Sequence, residues 1–459
     1  MANRIERDSM GEMNVPEEML YGAQTARAAY NFPVSGFRFP RAFLRALGLI
    51  KRYAAEVNAE LGLLAPESAR VIAQAAQEVA DGVLDKHFVL DIFQTGSGTS
   101  TNMNANEVIA HRARQIKPGL AVHPNDHVNF GQSSNDVIPS AANCAAACAI
   151  ATDLLPALSA MRDTLREKAR AFDDVVKVGR THLQDATPIR MGQVFSGYAR
   201  QVELAGERIA TAALQLRELP LGGTAVGTGL NTHPEFAAKV IRRLAADTGI
   251  EFREAINHFE AQGARDALVL VSGALKTAAV SLFKIANDIR FLGSGPRCGL
   301  GELRIPPVQP GSSIMPGKVN PVMAESLLQV CAQVIGNDAA VNIGGLSGNF
   351  ELNTMIPVII HNVLQSVTLL ANAVRLFTGR CLANLEVDRA HCAELVEKSL
   401  MLATPLSPLV GYDRAAALAK EAAASGQTRR ELALKPQILD ERILETALDV
   451  RRMTKPGLP

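Results

Sequence analysis

Residues 268–289, LVLVSGALKTAAVSLFKIANDI, decide the fold. Leu268, Val271, Leu275, Ala278, Leu282, Ile285 and Ile289 recur at alternating spacings of three and four, which lines one face of a long α-helix with apolar side chains. The same rhythm returns at Leu154, Leu158, Met161, Leu165, Ala169 and Phe172, and again at Ile360, Val363, Val367, Leu370, Val374 and Phe377. Long helices with almost no strand-like alternation between them predict an all-α, mainly helical protein built around an extended bundle. Ala-rich faces around residues 141–151 and 278–286 allow helices to approach closely, within one chain or between subunits.

Away from these helices the pattern is less regular. Up to about residue 45 the chain mixes Pro, Gly and turn residues with short apolar pieces, and helical periodicity emerges from Leu47 to Val83. Residues 94–135 are dominated by Gly, Ser, Thr and Asn, in TGSGTSTNMNANEV and HPNDHVNFGQSSND, and read as loops and helix starts. After Asn384 charge density rises, and Pro405, Pro408 and Gly411 supply turn signals. The expected division is a mixed, mostly helical N-terminal domain (1–131), a central long-helix bundle (132–384) and a small C-terminal helical domain (385–459).

Composition excludes several functions. The 47 Lys and Arg nearly balance the 46 Asp and Glu, so the net charge of +1 gives no basic surplus for nucleic acid or an anionic membrane. At 47% apolar, the 459 residues can build a sizeable core. The six cysteines form no C-x-x-C pair, which argues against a zinc ribbon or redox motif and suggests small core residues in a reducing compartment. MANRIERDSMGEM has no apolar signal region, and no apolar run of about 18 residues is expected anywhere. The expectation is a cytoplasmic protein that binds neither nucleic acid nor membrane.

Four polar clusters interrupt this apolar chain, at residues 95–106, 123–136, 179–185 and 311–320. Such residues favour turns and helix caps, but burying so many hydroxyls and amides without purpose is costly. In PGSSIMPGKVNP a Gly-flanked loop presents Ser312 and Ser313 and ends in Lys318 and Asn320, ahead of a helix expected near Pro321. Free N–H groups there suit an anion, and Lys318 and Asn320 suit a carboxylate or a developing enolate-like dianion. The bland alternative makes Lys318 a solvated surface lysine. His182, in GRTHLQD, has the side chain best suited to proton transfer near neutral pH, and Glu325 on the following helix is a candidate to orient it.

These clusters, in this order, resemble the fumarase/aspartase superfamily, and GSSIMPGKVNP matches its signature of Gly, Ser, two residues, Met, two residues, Lys, one residue and Asn. ERDSMGEMNVPEEMLYGAQTARA, LGGTAVGTGLNTHPEFA and GNFELN (348–353) extend the likeness over nearly the whole chain. The resemblance implies three domains, a homotetramer with a twenty-helix core, and active sites to which three subunits each contribute a polar segment. It implies Ser312 as the base that removes the C3 proton of malate, and His182, oriented by Glu325 and acting through water, as the group that assists departure of the hydroxyl. It implies Ser97, Gly98, Thr99, Ser133, Ser134, Asn135, Thr181, Ser313, Lys318 and Asn320 as substrate-binding residues. No cofactor and no metal are expected, and the substrate is a small dicarboxylate.

Within the superfamily, three positions resemble the class II fumarase branch. GRTH (179–182) carries His where aspartases have Gln, and HPND (123–126) and QSSND (132–136) differ from the aspartase forms NPND and QSTND. The implied reaction is reversible addition of water to fumarate giving (S)-malate; the alternative is aspartate ammonia-lyase or another dicarboxylate lyase. Ser100 stands where many fumarases have Gln, and Val322 and Met323 where many have Thr and Gln. The basic residue usual just before HPND is absent, residues 119–122 being GLAV, which weakens a second dicarboxylate site at His123, Asn125 and Asp126. A catalytically silent helical oligomer would be marked by loss of Ser312, Lys318 or His182, and all three are present. An iron–sulfur hydratase needs a cysteine spacing that the chain lacks.

Overall fold

The computed structural model describes residues 2–425 and 441–457. Among these the protein is mainly helical, with sixteen α-helices and five two-stranded sheets. The three periodic stretches are the helices Leu155–Ala171, Asp266–Leu292 and Ile356–Phe377. Two further long helices, Met191–Ala213 and Val322–Gly345, join them. The second of these escapes a periodicity reading because Val, Leu, Ile and Ala occupy nearly all of its sides, so no single face stands out.

The chain forms two compact units. One comprises Met1–Ala157, Ala205–Val280 and Val330–Asn372, and the other Leu158–Leu204, Ser281–Gln329 and Ala373–Pro459.

In the first unit the helix Arg41–Glu60 packs along Pro66–Ala80, burying Phe43, Leu47 and Ile50 on one side and Val71, Ile72 and Val79 on the other. Gly48 sets the approach, since a Cβ there would lie 2.6 Å from the backbone nitrogen of Ala80. The N-terminal segment is more regular than its composition suggests. Asn3–Asp8 pairs antiparallel with Gly11–Pro16, and Ala23–Asn31 is a helix whose first N–H groups are met by a buried carboxylate, Glu107. Residues 94–135 also require correction, because Thr99–Ile116 is one continuous helix in which Asn102, Asn104 and Asn106 are buried. Asn favours turns in isolation, but tertiary acceptors such as the His87 carbonyl, 3.0 Å from Asn104 Nδ2, retain it in this helix.

In the second unit Phe195 meets Phe172 and Tyr198 edge-on, joining the Met191–Ala213 helix to the end of Leu155–Ala171. Val178, from the strand Val176–Thr181, is buried with Val396, Leu406, Leu418, Leu444 and Leu448 of the C-terminal helices. That cluster anchors one end of a hairpin whose other end carries His182.

The expectation that no stretch has membrane-spanning character is corrected by three helical segments, Ser134–Ala171, Asp266–Leu292 and Ile356–Leu382, which are long and apolar enough by length and composition to cross a membrane. Scattered Gly, Ser, Thr and Asn break the apolar runs without making the helices polar. Polar bridges to buried partners link the second and third of them to neighbours. Ser272 and Lys276 donate to Asp338 at 2.8 and 2.5 Å, and Asn337 donates to Ser366 at 3.0 Å.

Replacing Gly48 by Ala forces its methyl against the backbone of residues 76–80, so Gly48→Ala is expected to cost about 1–3 kcal/mol through overpacking. A lowered urea midpoint at unchanged helical circular dichroism is the expected result, and an unchanged midpoint would show that the helix pair can spread freely.

Candidate active site

The predicted binding residues of the first unit come together at two helix starts. Gly98 holds the left-handed conformation (φ 75°) that turns the chain into Thr99–Ile116, and a Cβ there would sit 2.8 Å from Ile138. Ser133 begins Ser134–Ala149 with a capping box, its hydroxyl accepting from Asn135 N–H at 3.2 Å while its own N–H donates to Asp136 at 2.9 Å. Between the two starts runs a chain of hydroxyls, Ser97 to Thr99 at 2.7 Å and Thr99 to Ser134 at 2.7 Å. Asn135 donates to the Ala225 carbonyl at 2.8 Å. Paired N-termini and convergent hydroxyls form a neutral surface rich in donors, chemistry suited to a carboxylate.

Thr181, His182, Ser312, Ser313, Lys318, Asn320 and Glu325 belong to the second unit. Thr181 pairs with Gln184 across a two-residue turn in which His182 (φ 54°) and Leu183 (φ 62°) both have positive φ. That is the type I′ pattern, normally supplied by Asn and Gly. A leucine in this conformation and 80% exposed is doubly unfavourable, and strain of about 1–3 kcal/mol per residue is a recurrent mark of functional turns. The turn holds the imidazole out at the tip.

A residue overlooked in the sequence secures the base of this hairpin. Glu302, fully buried, accepts from Arg180 Nη1 at 3.0 and 3.1 Å and lies 3.2 Å from Lys177 Nζ. Burial pulls the Lys177 pKa below its ordinary value, opposed by the attraction of Glu302. The only sequence signal was a carboxylate in GELRIPP (301–307), which is too common to single out.

The loop 311–320 is closed on itself. Gly311 N–H donates to the Lys318 carbonyl at 2.8 Å, and Asn320 Nδ2 to the Gly311 carbonyl at 2.6 Å. Ser312 Oγ accepts from the N–H groups of Ile314 and Met315, at 3.3 and 3.0 Å. Ser313 and Lys318 are exposed, and the loop borders an open hollow of about 510 Å³ that Ser312 and Lys318 line. Glu325 is half-buried in the first turn of Val322–Gly345. Among the described residues no hydrogen bond or ion pair joins His182 to Glu325.

His123, Asn125 and Asp126 form an exposed turn. His123 Nδ1 accepts from the N–H groups of Asn125 and Asp126 at 3.3 and 3.2 Å, and the Asp126 carboxylate stands 3.2 Å away.

A family profile described as "Lyase" matches residues 11–336, and one described as "Fumarase C C-terminus" matches residues 402–455. Fumarate hydratase class II of Mycobacterium tuberculosis (strain ATCC 25618 / H37Rv) is 53% identical over 457 residues, covering 98% of this chain and 96% of that protein. The chain belongs to the class II fumarase family. Its relative from Corynebacterium glutamicum is likewise 53% identical, over 98% of this chain and 95% of the other. Among solved structures, class II fumarase from Schistosoma mansoni superposes with a TM-score of 0.95 at 40% identity, covering 99% of each chain. A fumarate lyase:delta crystallin from Brucella melitensis bound to cobalt gives 0.93 at 44% identity, over 99% of this chain and 100% of that one. The helical architecture is thus shared with solved structures over 99% of the chain.

Glu302→Gln removes the buried counter-charge of Lys177 and Arg180 and is expected to destabilise the protein by about 3–5 kcal/mol. Chemical denaturation measures this, and a loss below about 1 kcal/mol, the scale of a surface pair, would refute the anchoring role.

Proposed function

We propose that this protein is a fumarate hydratase, catalysing reversible anti addition of water to fumarate to give (S)-malate through a carbanion-like intermediate. The observation that carries the reading is the Ser312 oxygen, which accepts two backbone N–H groups in a loop bordered by Lys318. Serine is a weak base unless its alkoxide is stabilised, and two N–H donors and a nearby ammonium supply that stabilisation.

In this reading Ser312 takes the C3 proton of malate. Lys318 and Asn320 favour the carbanion-like intermediate, in which the carboxylate next to C3 gains a second negative charge, over bound substrate, so their effect falls on the transition state. His182, oriented by Glu325 and acting through water, protonates the departing hydroxyl. Ser97, Gly98, Thr99, Ser133, Ser134, Asn135, Thr181 and Ser313 bind the carboxylates and fix their geometry. Neither a metal nor a cofactor is assigned a step.

The same reading makes the enzyme a homotetramer whose sites draw polar segments from three subunits around a twenty-helix core. Apolar exposure supports this. Leu270, Val280, Phe283 and Phe291 of the Asp266–Leu292 helix are 40–56% exposed, and Ile343 of Val322–Gly345 is 61% exposed. Rows of large apolar side chains on long helices mark surfaces that another protein surface covers.

Purified, chelator-treated protein is expected to interconvert fumarate and malate, followed by the ultraviolet absorbance of fumarate; activity on aspartate but not malate overturns the assignment. Ser312→Ala and His182→Asn should each lower kcat by about 10²–10⁴-fold, the usual worth of a general acid or base, with the oligomer intact. Near-normal turnover in either removes that residue from the mechanism. Mixing the two inactive variants after subunit exchange should restore part of the activity, and no recovery despite exchange would argue against shared sites.

A further inference from the structure

Lys51 sits on the Arg41–Glu60 helix with 0% exposure. Among the described residues its ammonium makes no salt bridge. It donates instead to two neutral amide oxygens, Asn129 Oδ1 at 2.9 Å and Gln132 Oε1 at 3.0 Å. An isolated buried ammonium is costly, and burial draws its pKa down to about 7, opposed only by the more distant charge of Asp136. The Asp136 carboxylate is itself occupied by the N–H groups of Ser133, Gly222 and Thr224, at 2.9, 2.9 and 3.1 Å. A core requiring only bulk at this position would be served by Leu or Met.

The neighbours of the ammonium show what it holds. Asn129 Oδ1 also accepts from Asn102 Nδ2 and Asn106 Nδ2, each at 3.1 Å, and Asn129 Nδ2 donates to the Gln132 carbonyl at 3.1 Å. One amide oxygen therefore joins three pieces of chain: the Arg41–Glu60 helix, the Thr99–Ile116 helix and the 129–132 turn. The second piece begins at Thr99, directly after Ser97 and Gly98, and the third leads directly into Ser133, Ser134 and Asn135. The hydroxyl contact between Thr99 and Ser134 closes the far side of the same frame.

We infer that Lys51 is a positioning residue, whose buried ammonium fixes the spacing between the Ser97–Thr99 and Ser133–Asn135 halves of the dicarboxylate-binding surface. The inference rests on the fumarate hydratase reading. Lys51 does not touch the substrate; it acts through Asn129 and Gln132. Carboxylate contacts are made in the ground state and the transition state alike, so a loosened frame raises KM more than it lowers kcat. A purely structural lysine would change the melting temperature or the active fraction and leave the KM of folded enzyme alone.

The test compares fumarate kinetics of the wild-type oligomer and Lys51→Met, which keeps the aliphatic stem and removes the donors. The expected result is a KM raised about tenfold, the scale of a lost charge-assisted hydrogen bond, with kcat changed less than about threefold. A KM changed less than about threefold, whatever happens to stability, overturns the inference. Should Lys51→Met fail to assemble, Gln132→Met, at a half-buried position, removes one acceptor of the same ammonium and is judged by the same KM criterion. A wild-type enzyme inactive on fumarate sinks the functional reading, whereas an active wild type with an unaltered variant KM sinks only the role of Lys51.

Discussion

The Asp266–Leu292 helix satisfies its backbone internally, but this chain alone does not cover all of its apolar side chains. Leu268, Val271, Leu275, Leu282 and Ile289 are buried within the chain, while Leu270, Val280, Phe283 and Phe291 face outward. A helix this long and apolar on several sides must be packed from more than one direction, and that demand governs where polar chemistry can be placed. Side chains with hydroxyls, amides or charges are excluded from such faces unless each finds a partner. The groups available to a ligand consequently appear where helices start and where connections turn: Ser97 to Thr99 and Ser133 to Asn135 at two N-termini, His182 at a hairpin tip, and Ser312 to Asn320 in a loop before Val322–Gly345.

Polar groups that do enter the interior form small, dense networks. Asn129 Oδ1 with its three donors, Glu302 with its two cations, and Asp136 with its three N–H groups each tie together segments distant in sequence. Breaking one partner of such a network leaves a buried group unpaired, which costs more than the bond itself contributed. These networks therefore hold the segments they join at a fixed spacing. Strain at His182 and Leu183 is tolerated for the same reason, since the base of their hairpin is held by Glu302 and by Val178 in the C-terminal apolar cluster.

Much of this was legible in the sequence. Three long helices follow from apolar spacing, and the loop 311–320 follows from its Gly, Ser and Lys content ahead of Pro321. The buried Asn102, Asn104 and Asn106 were not legible, because local preference sends Asn to turns and only acceptors from elsewhere in the chain keep it in a helix. The hairpin at 176–190 was hidden for a related reason: its turn residues, His and Leu, are not those that type I′ turns usually select.

Sequence by itself determined the helical class, the absence of a basic surplus and the residue types available for proton transfer and anion binding, since these depend on composition and short-range spacing. It also carried the family signature. Only the tertiary structure decided that Thr99 and Ser134 share a hydrogen bond, that Ser312 Oγ receives two N–H groups, and that Lys51 and Glu302 are buried at the frames of these segments. Pairings of this kind depend on burial and on distances of about 3 Å between residues far apart in the chain, which local periodicity does not encode.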